Sequence, residues 1–326
     1  MNRSPLRRFA PEKWSRQRPT YSGADPELID AALDRSQKLP SGNWYAFAAS
    51  RAVRSDRPLG TTVHGVEIVA WRDGAGDLCV GPGACPHLGA PLEIARVEDR
   101  ELVCRWHGLR ISAEGSPRWC PFPCHDDGVL VWVRLDAIGG EVPTDAPIIG
   151  IRPTDTTVHA VTRLTGICEP RDIVANRLDP WHGAWFHPYS FAQLEVTRTP
   201  PRHAIADDND HFELAVTFRV TRSLGVPVEA KFWCPDPRTV VMRITAGEGA
   251  GSVVETHATP IGTGPDGRAR TAVVEAVIAR SERAGFRHTQ RALPVLRPLI
   301  VRAANRLWRD DMAYAERRYQ LRTRHR

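Results

Sequence analysis

The sequence predicts an α+β protein in which a compact all-β unit precedes an antiparallel-sheet unit that ends in a long helix. Three observations lead to this prediction. Short β-like runs at close spacing begin near Trp44 and stop near Asp136, longer alternating runs follow, and a helical apolar pattern extends from about Phe286 to Leu321. At 326 residues and 42% hydrophobic content, the chain is long enough to pack two such units.

The boundaries of these units follow from composition. We expect residues 1–38 to be a basic, partly disordered arm, 39–140 to form the all-β unit and 150–326 to form the second unit. The arm begins MNRSPLRRFAPEKW, in which a twin Arg is followed by polar, Pro-broken sequence instead of the apolar segment of a secretion signal. The Gly- and Pro-containing stretch AIGGEVPTDAPI is the predicted linker.

The strands are predicted from two kinds of run. In the first unit, β-forming runs lie between Gly, Asp and Pro turns. They are WYAFAAS, TTVHGVEIVAWRD, LCVGPG, ELVCRW, LRISAEG and VLVWVRLD. In the second unit, longer runs alternate apolar and polar residues, as expected for an antiparallel sheet with one buried face. They are HAVTRLTG, FELAVTFRV, VEAKFWC, TVVMRITAG, SVVETHATPIG and RARTAVVEAVIARS.

Composition and charge argue against several classes of protein. The net charge of +6 is spread along the chain with 38 acidic residues interleaved, so we expect no nucleic-acid partner. No apolar stretch approaches the roughly 18 residues of a membrane span. Seven cysteines are an odd number for a disulfide framework, which favours a soluble protein of the reducing cytoplasm.

Two cysteines and two histidines form the first candidate metal site. Cys85-x-His87 is followed after sixteen residues by Cys104-x2-His107, and each pair has a glycine just beyond it. Two thiolates and two imidazoles suit either zinc or a two-iron cluster. Zinc fingers usually bring two Cys on one loop and two His on the other, whereas each loop here brings one of each. This pairing favours a cluster with Cys on one iron and His on the other.

This spacing resembles the Rieske family. The resemblance implies a [2Fe-2S] cluster on Cys85, His87, Cys104 and His107, carried at the tip of a small β-sandwich-like domain. Arg105 stands where relatives commonly carry Pro, a difference that bears on redox tuning. Leu109 likewise stands where they commonly carry an aromatic residue.

The remaining cysteines are expected to be small apolar packing residues. They are Cys79, Cys120, Cys124, Cys168 and Cys234. Cys120-x3-Cys124 followed by His125 stays open as an alternative metal site.

A second constellation lies in IVANRLDPWHGAWFHPYSF, where Asn176 and Asp179 precede His182 and His187. Asp179 and His182 are three residues apart and share a helix face, whereas histidines five apart diverge on a regular helix. We therefore expect a distorted helix, which Gly183 makes easier. The alternative interpretation is that these are surface histidines beside a Trp-rich core stripe.

The spacing D-x2-H-x4-H resembles that of the Rieske oxygenases. The resemblance implies that His182 and His187 bind a mononuclear iron and that a carboxylate of the C-terminal helix, Asp310 or Asp311, completes the site.

Helix phase favours Asp311 as that carboxylate. Asp311 lies within an apolar stripe, where a carboxylate needs a partner or a metal, and Asp310 lies at its edge. Glu316 also stands five residues after Asp311, as it often does in relatives. The stripe consists of Leu293, Leu296, Ile300, Ala303, Leu307 and Tyr314.

The resemblance further implies a terminal oxygenase with a helix-grip-like (START-like) catalytic domain. Such a protein takes electrons from NAD(P)H through a ferredoxin and/or a flavin-dependent reductase. It then hydroxylates, demethylates or desaturates a small hydrophobic or aromatic substrate with O2. Two rivals stay open: a Rieske electron-transfer protein whose C-terminal domain binds a hydrophobic ligand without catalysis, and a zinc-stabilised binding module.

The resemblance also implies a head-to-tail homotrimer, in which electrons pass from one subunit's cluster to its neighbour's iron. Asp179 would bridge the two sites by accepting hydrogen bonds from His182 and, across the interface, from His107 or His87. Asn176 either lines this junction or makes an ordinary polar contact.

Overall fold

The computed structural model describes residues 4–11, 13–155, 157–203 and 209–324 and contains two sheet-based domains. The strands are β1 (Arg7–Arg8), β2 (Trp44–Ala49), β3 (Leu59–Val63), β4 (Val66–Arg72), β5 (Leu78–Pro82), β6 (Arg96–Glu98), β7 (Glu101–Val103), β8 (Arg110–Ile111), β9 (Cys124–Asp126), β10 (Leu130–Arg134), β11 (Val158–Gly166), β12 (Phe191–Arg198), β13 (Phe212–Arg219), β14 (Leu224–Asp236), β15 (Thr239–Gly247), β16 (Val253–Thr263) and β17 (Ala269–Ala279). The helices are α1 (Pro26–Ser36), α2 (Asp136–Gly139), α3 (Pro170–Arg177), α4 (Gly183–Phe186) and α5 (Thr289–Thr323).

The N-terminal domain consists of three small antiparallel sheets, ordered β2-β10-β9, β3-β4-β5 and β6-β7-β8. Each predicted run contains a strand. TTVHGVEIVAWRD contains two, because His64 and Gly65 take positive φ angles of 50° and 84° and turn the chain into a hairpin. One candidate cluster loop follows β5, and the other connects β7 to β8.

The C-terminal domain is one antiparallel sheet with the strand order β11-β17-β16-β15-β14-β13-β12. Every strand predicted for this unit is present, and β12 is an additional strand that its weaker alternation did not reveal. Helix α5 packs along β11 and against α3. The predicted α+β class, with a long C-terminal helix on an antiparallel sheet, is therefore confirmed.

The two faces of this sheet pack against different parts of the chain, as β17 illustrates. Glu275 and Val277 line an internal cavity, whereas the alternate residues Val274, Ala276 and Ile278 face the N-terminal domain. The N-terminal domain contributes Trp44, Ala46, Leu130 and Trp132 to this contact. Apolar packing across one face thus holds the two domains together.

Arg152, in the connection between the domains, adds a buried polar contact. Its guanidinium donates two hydrogen bonds to the carboxylate of Glu255 on β16, both at 2.6 Å. It also pairs with Asp127 of the N-terminal domain at 2.9 Å. One arginine therefore joins both domains to the linker.

The N-terminal arm is more ordered than the sequence suggested. Leu28, Ile29 and Leu33 of α1 are buried in the core of the C-terminal domain. Arg7–Arg8 pair with the start of β14, and Phe9 is buried. The start signal of α1 is visible in Asp25, whose side chain accepts the N–H of Glu27, but the surface that buries the helix comes from distant residues.

No helix in these described ranges is both long enough and apolar enough to cross a bilayer.

Candidate metal centres and substrate cavity

The first candidate centre lies between two loops of the N-terminal domain. The thiols of Cys85 and Cys104 are buried, whereas His87 and His107 are exposed. The two imidazole rings meet edge to face, with their centroids 4.9 Å apart. Each loop therefore presents an inner sulfur and an outer nitrogen.

The two loops share one backbone geometry. In the first, the N–H of Gly89 donates to the carbonyl of Cys85 at 2.9 Å, and in the second, the N–H of Gly108 donates to the carbonyl of Cys104 at the same distance. Both glycines take positive φ angles, 76° and 72°, which a side chain would strain. The glycine of each loop thus lets the chain turn back around the site.

The donors suit a two-iron cluster. Burial raises the pKa of the Cys85 thiol, and the backbone N–H groups of His87 and Leu88 oppose this by hydrogen bonding to its sulfur. A buried sulfur that is supplied with N–H donors is suited to hold a metal as thiolate. Inner thiolates and outer imidazoles match a [2Fe-2S] cluster with Cys on one iron and His on the other.

The alternative site at Cys120, Cys124 and His125 does not form. Cys124 and His125 are neighbours on β9, so their side chains point to opposite faces. The Cys124 thiol donates to the carbonyl of Leu78 at 3.2 Å, and the His125 ring packs edge to face on Trp44.

The second candidate centre begins where the predicted helix is distorted. Helix α3 ends at Arg177, a 3-10 turn follows at Pro180–His182, and α4 is a single short turn before His187. This break brings both histidines to one point with Asp311 of α5. The three ligand atoms lie within 4.8 Å of one another.

Both imidazoles present Nε2 to the same carboxylate oxygen. Oδ1 of Asp311 lies 3.1 Å from Nε2 of His182 and 2.9 Å from Nε2 of His187. Nδ1 of His182 donates to the backbone carbonyl of Asp179 at 2.5 Å. A carbonyl oxygen only accepts, so this bond keeps the proton on Nδ1 and frees Nε2 for a metal.

The two neighbouring aspartates have different roles in the structure. Asp311 is only 3% exposed and joins the histidines. Asp310 lies on the far side of His187, with Oδ2 3.5 Å from Nδ1, and accepts the hydroxyl of Tyr189 at 2.6 Å. Burial alone would raise the pKa of Asp311, but the adjacent imidazoles of His182 and His187 outweigh it and lower the pKa.

Helix phase predicted that Asp311 lies on the buried side of α5, but it predicted the full set of buried residues of this helix only approximately. Ile300 and Leu307 of the predicted stripe line the cavity beside Asp311. Leu293 and Leu296 are half-buried, near the start of the helix. The fully buried residues of α5 are Ala304, Trp308, Asp311, Met312, Ala315 and Tyr319.

Asn176 and Asp179 each keep one polar atom unused. Nδ2 of Asn176 donates to Oδ1 of Asp311 at 3.2 Å, while Oδ1 of Asn176 is buried without a partner among the described residues. Oδ2 of Asp179 accepts the hydroxyl of Tyr314 at 3.2 Å, and its buried Oδ1 has no partner in the same part of the chain. Tyr314 was predicted only as a member of the apolar stripe and Tyr189 was not predicted, because their hydrogen bonds depend on the fold.

A cavity of about 770 Å³ opens from the His182, His187 and Asp311 cluster. It lies between the sheet and α5. Its walls are mainly apolar, which suits a small organic ligand. They include Phe191, Leu194, Leu214, Val216, Phe218, Phe232, Met242, Ile244, Val254, Val277, Ile300 and Leu307.

The donor set also suits a mononuclear iron. Two neutral imidazole nitrogens and one carboxylate are the ligands of the facial triad that oxygen-activating non-haem iron uses. The cluster is buried and opens onto an apolar cavity, so a metal there keeps a face toward a ligand.

Two family models match the chain, one in each domain. A family model described as "Domain of unknown function (DUF5914)" matches residues 138–326, more than half of the chain. The chain belongs to the DUF5914 family. The model of the Rieske [2Fe-2S] domain matches residues 43–131, so this DUF5914 member carries a Rieske domain.

Several relatives of this DUF5914 protein are oxygenase components. The vanillate O-demethylase oxygenase subunit of a Pseudomonas species is 28% identical over 184 residues, 52% of this chain and 51% of that protein. The chain spans about half the length, or less, of the curated relatives it matches. The predicted resemblance to Rieske non-haem iron terminal oxygenases is thereby confirmed.

Solved structures share the fold. Dicamba monooxygenase bound to dicamba superposes with a TM-score of 0.61 at 19% identity, covering 87% of this chain and 89% of that one. The oxygenase in the reduced complex of carbazole 1,9a-dioxygenase with ferredoxin has a TM-score of 0.54 at 14% identity, covering 91% of this chain and 84% of that one. The chain thus shares its fold with these oxygenases.

Proposed function

We propose that this chain is a terminal oxygenase component that uses O2 and reductase-supplied electrons to hydroxylate, demethylate or desaturate a hydrophobic or aromatic small molecule. One observation carries the proposal: the His182, His187 and Asp311 cluster lies at the end of an apolar cavity, in a chain that also has a Rieske domain. A Rieske domain alone would suit an electron carrier. The second cluster supplies a place for oxygen chemistry.

The two centres have separate residues. The [2Fe-2S] cluster would be held by Cys85, His87, Cys104 and His107. The mononuclear iron would be held by His182, His187 and Asp311. When bound, the cluster supplies single electrons and the mononuclear iron activates O2. We assign residues 39–140 to the electron-transfer domain and 150–326 to the catalytic domain.

The protein's own groups orient the ligands and exclude water. The Nδ1 bond of His182 to the carbonyl of Asp179 keeps its Nε2 free, and Asn176 donates to Asp311 on the other side of the site. The apolar walls displace water around a bound substrate, which strengthens polar contacts inside the cavity.

Asp179 is the proposed link to the neighbouring subunit. Its Oδ1 is buried and lacks a partner among the described residues, so it is available to accept a hydrogen bond from the partner's cluster histidine. This arrangement requires a closed head-to-tail ring, for which we propose a homotrimer.

We infer that the electrons come from NAD(P)H through a ferredoxin and/or a flavin-dependent reductase. A solved oxygenase of this fold forms a complex with ferredoxin, which supports a partner of this kind. We propose a cytoplasmic location, because none of the seven cysteines is in a disulfide and a reducing compartment keeps cysteines in that state.

Iron content and oxygen uptake test the proposal. The purified protein should be red-brown, contain about three irons per chain and consume O2 with a reductase in the presence of a substrate from an aromatic and hydrophobic panel. About two irons, together with ligand binding but no uptake, would instead support a Rieske electron-transfer protein with a non-catalytic ligand-binding domain. Colourless, zinc-containing protein would contradict both interpretations.

A further inference from the structure

Arg177, the last residue of α3, places a guanidinium on the wall of the cavity. The group lies near the rings of Phe232 and Trp308, with centroid distances of 5.7 and 5.9 Å. Its Nε is buried without a hydrogen-bond partner. Within the described ranges, the side chain of Arg177 makes no hydrogen bond and no ion pair within 4.0 Å.

Other arginines of the cavity wall are already engaged. Arg280 pairs with Asp155, and Arg283 pairs with Glu248 at 2.6 Å. Arg219 donates to a backbone carbonyl at 3.1 Å. Arg177 therefore differs from them because its five N–H donors have no acceptor in the part of the chain that the structure describes.

The nearby carboxyl of Glu275 does not supply that acceptor. It lines the same cavity, is 5% exposed and accepts the hydroxyl of Thr256 at 3.2 Å. Burial raises the pKa of Glu275, and the positive charge of Arg177 offsets this in part. The two side chains interact through space but form no direct ion pair within 4.0 Å.

A guanidinium beside apolar walls is costly unless something pairs with it. An arginine fork matches a carboxylate bidentately, and the pair is strong where water is displaced. The remaining walls are apolar and suit a hydrocarbon or aromatic body.

We propose that the substrate of this cavity is an organic acid, whose apolar body fills the cavity and whose carboxylate pairs with the guanidinium of Arg177. This inference rests on the proposed function only in taking the cavity as the substrate site. Arg177 is then a specificity-determining residue that positions the substrate and takes no part in holding the metals.

Equilibrium binding of matched acid and amide pairs tests this assignment. Calorimetric titrations of the anaerobic, iron-loaded protein would use benzoate, 2-naphthoate, 4-biphenylcarboxylate and decanoate, each beside its carboxamide. We expect at least one acid to bind about 10- to 100-fold more tightly than its amide, because the amide lacks the charge-assisted pair. Arg177→Gln and Arg177→Met should reduce that preference to about one.

Two further variants separate recognition from folding. Arg171→Gln removes a guanidinium from the same helix, outside the cavity, and should leave the acid preference unchanged. Arg177→Lys keeps the charge but loses the fork and should retain only part of the preference. Thermal unfolding and iron content identify any variant that fails to fold, in which case Arg177→Lys decides the outcome.

The inference is overturned if no acid of the panel binds, if amides bind as tightly as acids, or if the preference survives in the Arg177 variants. Oxygen uptake with neutral compounds and no acid preference would remove this inference and leave the proposed function intact. Acid binding that depends on Arg177, without oxygen uptake, would support this inference and contradict the proposed function.

Discussion

The hydroxyl of Tyr314 donates to Oδ2 of Asp179 at 3.2 Å and leaves Oδ1 of this buried carboxylate without a partner among the described residues. The bond holds the carboxylate beside His182, whose Nδ1 lies 3.9 Å from Oδ2. A fixed carboxylate with one open acceptor is suited to join a second histidine to the site.

Asp179→Asn should therefore uncouple the two centres. The amide keeps the size of the carboxylate but loses its charge, so both metals should load while turnover falls by about 10- to 100-fold. Iron analysis and single-turnover oxidation of the reduced protein check this. Turnover should fall less in Tyr314→Phe, because this change removes only the hydrogen bond that orients Asp179. Wild-type turnover of a fully loaded Asp179→Asn protein would contradict the bridging role.

Asp311→Asn should remove the mononuclear iron while Asp310→Asn retains it. Asp311 contacts both histidine Nε2 atoms, whereas Asp310 lies behind His187 and binds Tyr189. Iron content should fall from about three to about two per chain only in the first variant, with the cluster absorption unchanged. Equal iron loss in both variants would show that position 311 is not the specific ligand.

Cys85→Ser should abolish the cluster absorption, because a hydroxyl is a poor replacement for a buried thiolate ligand. Cys120→Ser is the matched control, since Cys120 is an exposed free thiol of the same domain. Visible absorption and iron content should stay at wild-type values in the control. A red-brown Cys85→Ser protein with unchanged spectrum would rule out Cys85 as a ligand.

Arg152→Met should destabilise the contact between the domains by about 3 kcal/mol, because it removes the guanidinium that pairs with the buried carboxylates of Glu255 and Asp127. Thermal or urea unfolding at neutral pH measures this loss. An unchanged midpoint would show that apolar packing alone holds the domains.

Arg152→Met should also change how the stability of the protein depends on pH in the acid range. Burial alone would raise the pKa values of Glu255 and Asp127, but hydrogen bonds from Arg152 outweigh it and both are lowered. Their contribution to stability is present above about pH 4.5 and is lost as the pH falls through the lowered values. Stability should therefore vary less with pH in Arg152→Met below about pH 5. A profile parallel to that of the wild type would contradict this assignment.

The local pattern was sufficient for most of the architecture. Period-two alternation predicted β13 to β17, because successive side chains of a strand point to opposite faces of the sheet and these faces differ in what they contact. The short N-terminal helix α1 was missed, since its helical signal is brief and its stability comes from contacts with the distant sheet. Asp311 was predicted correctly as a buried carboxylate because helix phase is also a local property.

Spacing in the sequence by itself determined which residues are candidate ligands, since Cys85, His87, Cys104 and His107 lie on two short loops and His182 and His187 lie in one segment. Only the tertiary structure decided what surrounds them. Tyr314 meets Asp179 from another element, Arg152 joins two domains, and Arg177 stays without an acceptor in the described part of the cavity. Such relations depend on which surfaces the fold brings together, and residues more than a hundred positions apart carry no local signal of contact.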